Sequence, residues 1–223
     1  MSIVENIQYI ENQVVSKGVT LIAVSKTKPV EMLMEAYNAG FKRFGENYVQ
    51  ELVEKYEAMP KDIEWHFIGH LQSNKVKYIA PFVSLIHSVD SFKLLQEINK
   101  QAAKNNRVID CLLQIYIAEE DTKSGMTEEE CFEILQPETL KNLSNVRIVG
   151  LMGMTTLTDD ETQIRKEFGK LKSFQSTVNM TQSENLSILS MGMSGDYEIA
   201  IEEGSNMIRV GSKIFGGRIY NNL

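Results

Sequence analysis

The chain has 223 residues, 43% of them hydrophobic, which is enough for a sizeable buried core in one large α/β domain or two small ones. Its 23 basic and 30 acidic side chains give a formal net charge of -7, which argues against diffuse attraction to nucleic acid or to an anionic membrane surface. No apolar stretch approaches membrane-spanning length, and the N-terminus lacks the basic region and apolar core of a signal peptide. Only two cysteines occur, Cys111 and Cys131, so a disulfide framework is not expected. We therefore expect a cytoplasmic protein without nucleic-acid or membrane partners.

The chain begins with the pattern of an amphipathic helix. Ser2 followed by Glu5 is typical of a capping box. Apolar side chains then recur at helical spacing until Gly18, at Ile3, Ile7, Ile10 and Val14. This pattern predicts one leading helix.

After this helix, short apolar runs alternate with amphipathic segments. The apolar runs predict eight strands, at residues 21–25, 41–44, 63–68, 83–89, 108–117, 146–152, 186–191 and 207–211. The segments between them include "PVEMLMEAYNAG" and "SFKLLQEINKQAAKN", both with helical periodicity. Eight βα units favour an α/β fold of the (β/α)8 TIM-barrel type with an extra N-terminal helix.

The alternative is an open doubly wound sheet, but no G-x-G-x-x-G motif opens the first βα turn. No linker or composition shift divides the chain, so we expect a single domain spanning 1–223.

Lys26 stands at the end of the first predicted strand, in "LIAVSKTKP". A lysine in such a position is either the start of a solvated loop or a desolvated amine that can form a Schiff base with a carbonyl. Because loops at the C-terminal ends of barrel strands build active sites, the barrel prediction favours chemistry here. Spacing alone does not distinguish Lys26 from Lys28.

The turns after the last two strands carry the pattern of a phosphate site. "GMSG" supplies Gly192, Ser194 and Gly195, and "GSKIFGG" supplies Gly211 and Ser212. In barrels these two turns frequently bind phosphate through backbone N–H groups and hydroxyls, although each turn alone has the ordinary chemistry of turns and caps.

Arg209 is predicted to point into the barrel, because strand alternation places it opposite the aliphatic pair Ile208 and Val210. A buried guanidinium needs an acceptor, which we expect to be a carboxylate such as Glu46 or an atom of a ligand.

The three histidines, His66, His70 and His87, do not predict a metal site. A zinc site needs a further ligand that the sequence does not indicate, so hydrogen-bonded core positions are the expectation. Methionines gather near the ends of strands 6 and 7, where they are typical of adaptable packing: Met152, Met154, Met191 and Met193.

Several motifs together resemble the YggS/PROSC family of pyridoxal phosphate homeostasis proteins. They are "AVSKTKP", "FGENYVQE", "WHFIGHLQSNK", "KSGM", "GLM", "LSMGMSGDYEIAIEEGS" and "IRVGSKIFGGR", and they cover nearly the whole chain in order. The resemblance implies a barrel like the N-terminal domain of alanine racemase, with pyridoxal 5'-phosphate as the cofactor. The chain departs from the family pattern at Tyr116, where an asparagine is common.

The resemblance also implies a set of cofactor-binding residues. Lys26 would carry the cofactor as a Schiff base, and Asn47 would lie near its ring. The "GMS" turn with Met193 and Ser194, together with Gly211 and Ser212, would hold the phosphate. Arg209 would contact the cofactor at the pyridine nitrogen.

The resemblance implies a non-catalytic protein that buffers the cofactor and passes it to apoenzymes. The alternatives are a pyridoxal-phosphate-dependent amino-acid racemase and a Schiff-base aldolase acting on a phosphorylated substrate. Against a racemase, only twelve residues follow Gly211, too few for the second domain that supplies the opposing base in alanine racemase. No exposed apolar stripe demands a dimer, so a monomer is expected.

Overall fold

Eight parallel strands pair in chain order, and the first strand also pairs with the last, so the sheet closes into a barrel. The computed structural model describes residues 1–120, 124–182 and 185–217. Lys123 of the "KSGM" motif and Arg218 of the "FGGR" motif lie outside the described residues. The strands are β1 (Thr20–Val24), β2 (Arg43–Glu46), β3 (Glu64–Phe67), β4 (Leu85–Val89), β5 (Ile109–Gln114), β6 (Val146–Met152), β7 (Ile188–Ser190) and β8 (Met207–Val210).

Helices follow every strand and cover the outside of the barrel. They are α1 (Ile3–Val14), α2 (Val30–Asn38), α3 (Val49–Ala58), α4 (Val76–Ile79), α5 (Phe92–Lys104), α6 (Glu128–Ile134), α7 (Pro137–Leu140), α8 (Glu161–Thr181), α9 (Tyr197–Glu202) and α10 (Ser212–Phe215). The (β/α)8 barrel with an extra N-terminal helix is therefore confirmed. The part of the chain that the structure describes contains no helix both long and apolar enough to cross a bilayer.

The leading helix α1 has the predicted capping box. Ser2 Oγ accepts from the Glu5 amide at 3.2 Å, and a Glu5 carboxylate oxygen accepts from the Ser2 amide at 2.7 Å. The Asn6 side chain donates to the carbonyl of Ile214 in α10 at 3.0 Å, and Gln13 Oε1 accepts from the Tyr197 hydroxyl at 2.9 Å. These bonds fix α1 beside the last two helices.

Strand alternation sorts side chains between two apolar regions. Ile208 and Val210 belong to the large core between the strands and the helices. A smaller cluster inside the barrel consists of Ile22, Leu85, Leu112, Met152 and Met207. Arg209, on the same face of β8 as Met207, is buried at 3% exposure, so the predicted parity of this strand is confirmed.

Seven of the eight predicted strands have different bounds in the structure, and β6 keeps the predicted ones. The reason is visible for the second and the fifth. The second begins at Arg43 rather than residue 41, because the Phe41 amide bonds to the Ala36 carbonyl and still belongs to the end of α2. The fifth ends at Gln114 rather than residue 117, and Ile115 makes only an isolated bridge with Met126. The apolar run continues beyond the strand because these residues stay buried in a loop.

Candidate functional site

A cavity of about 330 Å³ opens at the C-terminal end of the barrel, where the loops after the strands converge. Its lining brings together all seven residues predicted to bind the cofactor: Lys26, Asn47, Met193, Ser194, Arg209, Gly211 and Ser212. The lining also includes Val24, Thr27, Lys28, Ile68, Met154, Gly195 and Gly216, none of which the sequence argument assigned a role at the cavity except Gly195. This volume lies in the range of small-molecule sites.

The turn after β1 distinguishes the two candidate lysines. Lys28 Nζ donates to three successive carbonyls, of Phe215 at 3.1 Å, Gly216 at 3.1 Å and Gly217 at 2.8 Å. Its ammonium therefore caps the C-terminal end of α10. Lys26 lies two residues earlier, on the cavity wall. Between them, Thr27 has a φ of +62°, a left-handed conformation that is unfavourable for a β-branched residue.

A buried ion cluster lies behind this turn. Lys55 Nζ on α3 donates to Glu46 Oε1 at 2.7 Å and to Glu51 Oε1 at 2.6 Å, and the Ser25 hydroxyl donates to Glu46 Oε1 at 2.6 Å. Burial raises the pKa of the Glu46 carboxyl from 4.5 to about 7, against the lowering effect of Lys55. One ammonium faces two carboxylates, so the cluster has an excess negative charge when both are ionised.

Of the two acceptors expected for Arg209, a carboxylate such as Glu46 is wrong, and an atom of a ligand stays a prediction. Glu46 pairs with Lys55, whereas the Arg209 guanidinium donates to the Ser190 carbonyl at 2.8 Å, to Ser190 Oγ at 2.6 Å and to the Gly153 carbonyl at 3.1 Å. Burial lowers the pKa of Arg209 to about 10, which still leaves it cationic near neutral pH. The site therefore presents a buried cation held by neutral acceptors.

Below Arg209, a directed chain of hydrogen bonds crosses the barrel interior. Ser190 Oγ lies 3.0 Å from His87 Nδ1, and His87 Nε2 lies 2.9 Å from His66 Nδ1. Because Ser190 Oγ accepts from Arg209, its own proton is available for His87 Nδ1, and both rings then carry their proton on Nε2. Burial lowers the pKa of His66 to about 3 and that of His87 well below its ordinary value, so both rings are neutral.

The predicted phosphate turns lie against each other at the cavity. Ser194 Oγ accepts from the Gly211 amide at 3.2 Å. The Met193 amide donates to Asp196 Oδ1 at 2.6 Å, which fixes the "GMSG" turn. Gly192 has a φ of +92°, and a Cβ there would lie 2.7 Å from Ala200 Cβ, so only glycine fits.

The open end of this region has room and donors for an anion. Ser212 begins α10, where the amides of Ile214 and Phe215 donate to the Gly211 carbonyl and those of Ser212 and Lys213 have no intrahelical acceptor. A Cβ built on Gly195 would meet nothing within 4 Å, so the backbone there is accessible to a ligand. On the opposite wall, Asn47 Oδ1 is buried and has no hydrogen-bond partner within the described ranges. A buried acceptor of this kind suits a ligand donor.

The remaining predicted positions do not form a second site. The expected core position is wrong for His70, because its side chain lies at the surface with Nδ1 3.2 Å from Asp90 Oδ2, whereas His66 and His87 are buried as expected. Among the described residues, no group of three or more histidine, cysteine or acidic side chains could hold a metal ion. The Tyr116 hydroxyl donates to the Glu120 carbonyl at 2.8 Å, and Tyr116 does not line the cavity.

Sequence reasoning missed the cluster behind the turn and the anchor of Arg209. The i,i+4 spacing of Glu51 and Lys55 on α3 was a signal for the first. No pattern in the sequence indicated that Ser190 would hold Arg209, since the contact depends on the register between β7 and β8.

The sequence is similar to proteins of known name over most of its length. A family model described as alanine racemase, N-terminal domain, matches residues 1–219. A pyridoxal phosphate homeostasis protein of Aquifex aeolicus is 44% identical over 201 residues, covering 90% of this chain and 87% of the relative. A protein of the same name from Vibrio alginolyticus is 41% identical over 235 residues, covering 99% of both chains.

The fold is similar to two solved structures of PipY from Synechococcus elongatus, one without and one with pyridoxal phosphate bound. Their TM-scores are 0.91 and 0.87, at 34% identity, with 96% of this chain and 100% of PipY covered. Alanine racemase from Enterococcus faecalis has a TM-score of 0.77 at 18% identity, and this chain covers 59% of it. At that identity the racemase shares the fold only.

Proposed function

The chain belongs to the pyridoxal phosphate homeostasis proteins, a group with the barrel of the alanine racemase N-terminal domain, and from that premise we propose that it holds pyridoxal 5'-phosphate as a Schiff base on Lys26. The observation that carries the proposal is the convergence of all seven predicted residues on one cavity. The PipY structure with bound pyridoxal phosphate, which matches 96% of this chain, supports the choice of cofactor.

Lys26 is the better of the two lysines for covalent attachment. The Lys28 ammonium donates to three carbonyls at the end of α10 and would have to leave them to react. The step we propose joins Lys26 Nζ to the aldehyde carbon: the amine loses two protons, the aldehyde loses its oxygen, and one water molecule leaves. The apolar side chains of Val24 and Ile68 line the same cavity as Lys26.

The serine and glycine turns suit the phosphate. Ser194 and Ser212 offer hydroxyls, and Gly195 offers a main-chain amide without a bulky side chain. The amides of Ser212 and Lys213 at the start of α10 are further donors for an anion. None of the described residues that line the cavity is a carboxylate, so none of them repels a phosphate.

Arg209 and Asn47 remain for the pyridine ring, which brings a conjugated system able to accept electrons. The Arg209 guanidinium is cationic and only donates hydrogen bonds. It therefore does not act as the acidic partner that would keep the ring nitrogen protonated. Met154 and Met193 add polarizable contact surface. This environment supports holding the cofactor rather than using it, in agreement with relatives named for homeostasis.

The role we propose is to buffer the cofactor and deliver it to apoenzymes, as a single-domain monomer in the cytoplasm. The racemase alternative rests on matches at 14 to 18% identity, which carry fold alone. The aldolase alternative predicts a colourless protein, whereas a bound pyridoxal Schiff base absorbs visible light.

The attachment site is tested by borohydride reduction of the cofactor-loaded protein followed by peptide mapping. We expect the pyridoxyl group on Lys26, with Lys28→Ala unchanged and Lys26→Ala unlabelled. A pyridoxyl group on Lys28 or Lys75 would overturn the assignment.

The non-catalytic role is tested by α-proton exchange of L-alanine and other amino acids in heavy water, followed by NMR with the loaded protein. We expect no exchange near the roughly 10 per second typical of enzymes. Exchange at such rates that disappears in Lys26→Ala would establish the racemase alternative instead.

A further inference from the structure

The buried ammonium of Lys55 has all three of its donor directions occupied. Lys55 is 4% exposed, and Nζ donates to the Ser25 carbonyl at 2.7 Å as well as to Glu46 Oε1 at 2.7 Å and Glu51 Oε1 at 2.6 Å. A buried ammonium is costly unless each N–H finds an acceptor. This one is satisfied by a main-chain carbonyl and two carboxylates that come from different segments.

These acceptors lead to both neighbours of Lys26. Ser25 precedes it, with its carbonyl bound to Lys55 and its hydroxyl donating to Glu46 Oε1 at 2.6 Å. Thr27 follows it, and its amide donates to Glu51 Oε1 at 2.6 Å. The cluster therefore holds the main chain by hydrogen bonds on each side of Lys26.

The backbone conformation of Thr27 shows that these hydrogen bonds hold the turn against the conformational preference of threonine. A φ of +62° is unfavourable for a β-branched side chain and persists only where surrounding contacts impose it. The bond from the Thr27 amide to Glu51 is such a contact, and Lys55 in turn fixes Glu51. Stabilising the barrel through the Lys55–Glu51 salt bridge does not require Glu51 to accept a hydrogen bond from the amide of a strained turn as well.

We propose that Lys55 and Glu51 are positioning residues that hold the Ser25–Thr27 turn so that Lys26 keeps the cofactor. They act through the main chain and not by touching the ligand. The role rests on the proposed attachment of pyridoxal phosphate to Lys26. It adds a prediction about two side chains of α3, neither of which lines the cavity.

Three variants of α3 test the proposal. Glu51→Ala removes the acceptor of the Thr27 amide, Glu51→Gln keeps an oxygen at Oε1, and Glu54→Ala removes an exposed carboxylate from the same helix as a control. Glu51 is half-buried, so these changes are less disruptive to folding than removing Lys55. Circular dichroism checks that each variant is folded.

Two readouts separate positioning from stability. The first is the rate at which the reconstituted protein loses pyridoxal phosphate, followed by the absorbance of the Schiff base. We expect Glu51→Ala to release it about tenfold faster, as for the loss of one hydrogen bond to a charged acceptor. Glu51→Gln should restore the rate to within about twofold of the original, and Glu54→Ala should leave it unchanged.

The second readout is hydrogen exchange of the Thr27 amide in the cofactor-free protein. We expect about tenfold faster exchange in Glu51→Ala alone. Unchanged release in Glu51→Ala, or equal effects in Glu51→Ala and Glu54→Ala, would overturn the positioning role. If the original protein forms no adduct on Lys26, the proposed function fails, while the exchange rates still decide whether Glu51 holds the turn.

Discussion

Replacing Glu46 by Gln should change how the stability of the protein depends on pH. Glu46 is fully buried, and its carboxyl shares a single ammonium with Glu51. Burial raises the pKa of Glu46 from 4.5 to about 7 in the folded state. The folded protein therefore binds this proton more tightly than the unfolded chain does. Stability from this group is present at low pH and is lost as the pH rises from about 4.5 through 7.

The size of the effect follows from the two pKa values. Each unit of pKa difference corresponds to about 1.4 kcal/mol. For pKa values of 4.5 and about 7, the contribution of Glu46 to the free energy of unfolding falls by about 2 to 3 kcal/mol between pH 5 and pH 8. Gln cannot titrate but keeps an oxygen that accepts from Ser25 and Lys55. The variant should lack this fall.

The assay is urea unfolding of the cofactor-free protein at half-unit steps from pH 5 to pH 8, for the original protein, Glu46→Gln and a control. Urea is chosen because it leaves the ionic strength unchanged. Glu54→Gln is the control, because Glu54 is exposed on the neighbouring helix. The reasoning would be refuted if the free energy of unfolding fell with pH equally in the original protein and in Glu46→Gln. It would also be refuted if only Glu46→Gln showed a fall of this size.

Three further predictions concern the barrel and the cavity. Gly150→Ala should destabilise the protein by about 3 kcal/mol in urea unfolding, because a Cβ there would lie 1.9 Å from a carbonyl oxygen of the next strand. The control Gly217→Ala should change the free energy of unfolding by less than about 0.5 kcal/mol. Ser194→Asp should weaken binding of pyridoxal phosphate at least about tenfold more than binding of pyridoxal, because it sets a carboxylate against the phosphate; equal losses by calorimetry would contradict the site. His66 and His87 should stay neutral with the proton on Nε2 from pH 8 to pH 5.5 in ¹⁵N NMR, since burial lowers both pKa values, and titration of either ring near pH 6.5 would refute the directed chain.

The repeating pattern of the sequence was sufficient to predict the fold. Eight apolar runs separated by amphipathic segments specify strands and helices through local periodicity, and eight βα units have few ways to close. The inward direction of Arg209 also followed from alternation along β8. The family resemblance implied seven residues that the structure places at the cavity, and the strand ends that carry its motifs meet on one face of a parallel barrel.

Contacts between segments distant in the chain were decided only by the tertiary structure. Arg209 meets Ser190 and Gly153, and Glu46 meets Lys55, because strand register and helix placement bring these atoms within 3.1 Å. Local sequence patterns do not predict such distances. Likewise, spacing alone left Lys26 and Lys28 as candidates and only the family resemblance favoured Lys26, whereas the carbonyls that engage Lys28 come from residues 215–217, near the other end of the chain. The sequence by itself indicated seven of the residues that line the cavity, and folding determined their partners, since a buried charge takes whichever acceptors the packed structure brings within reach.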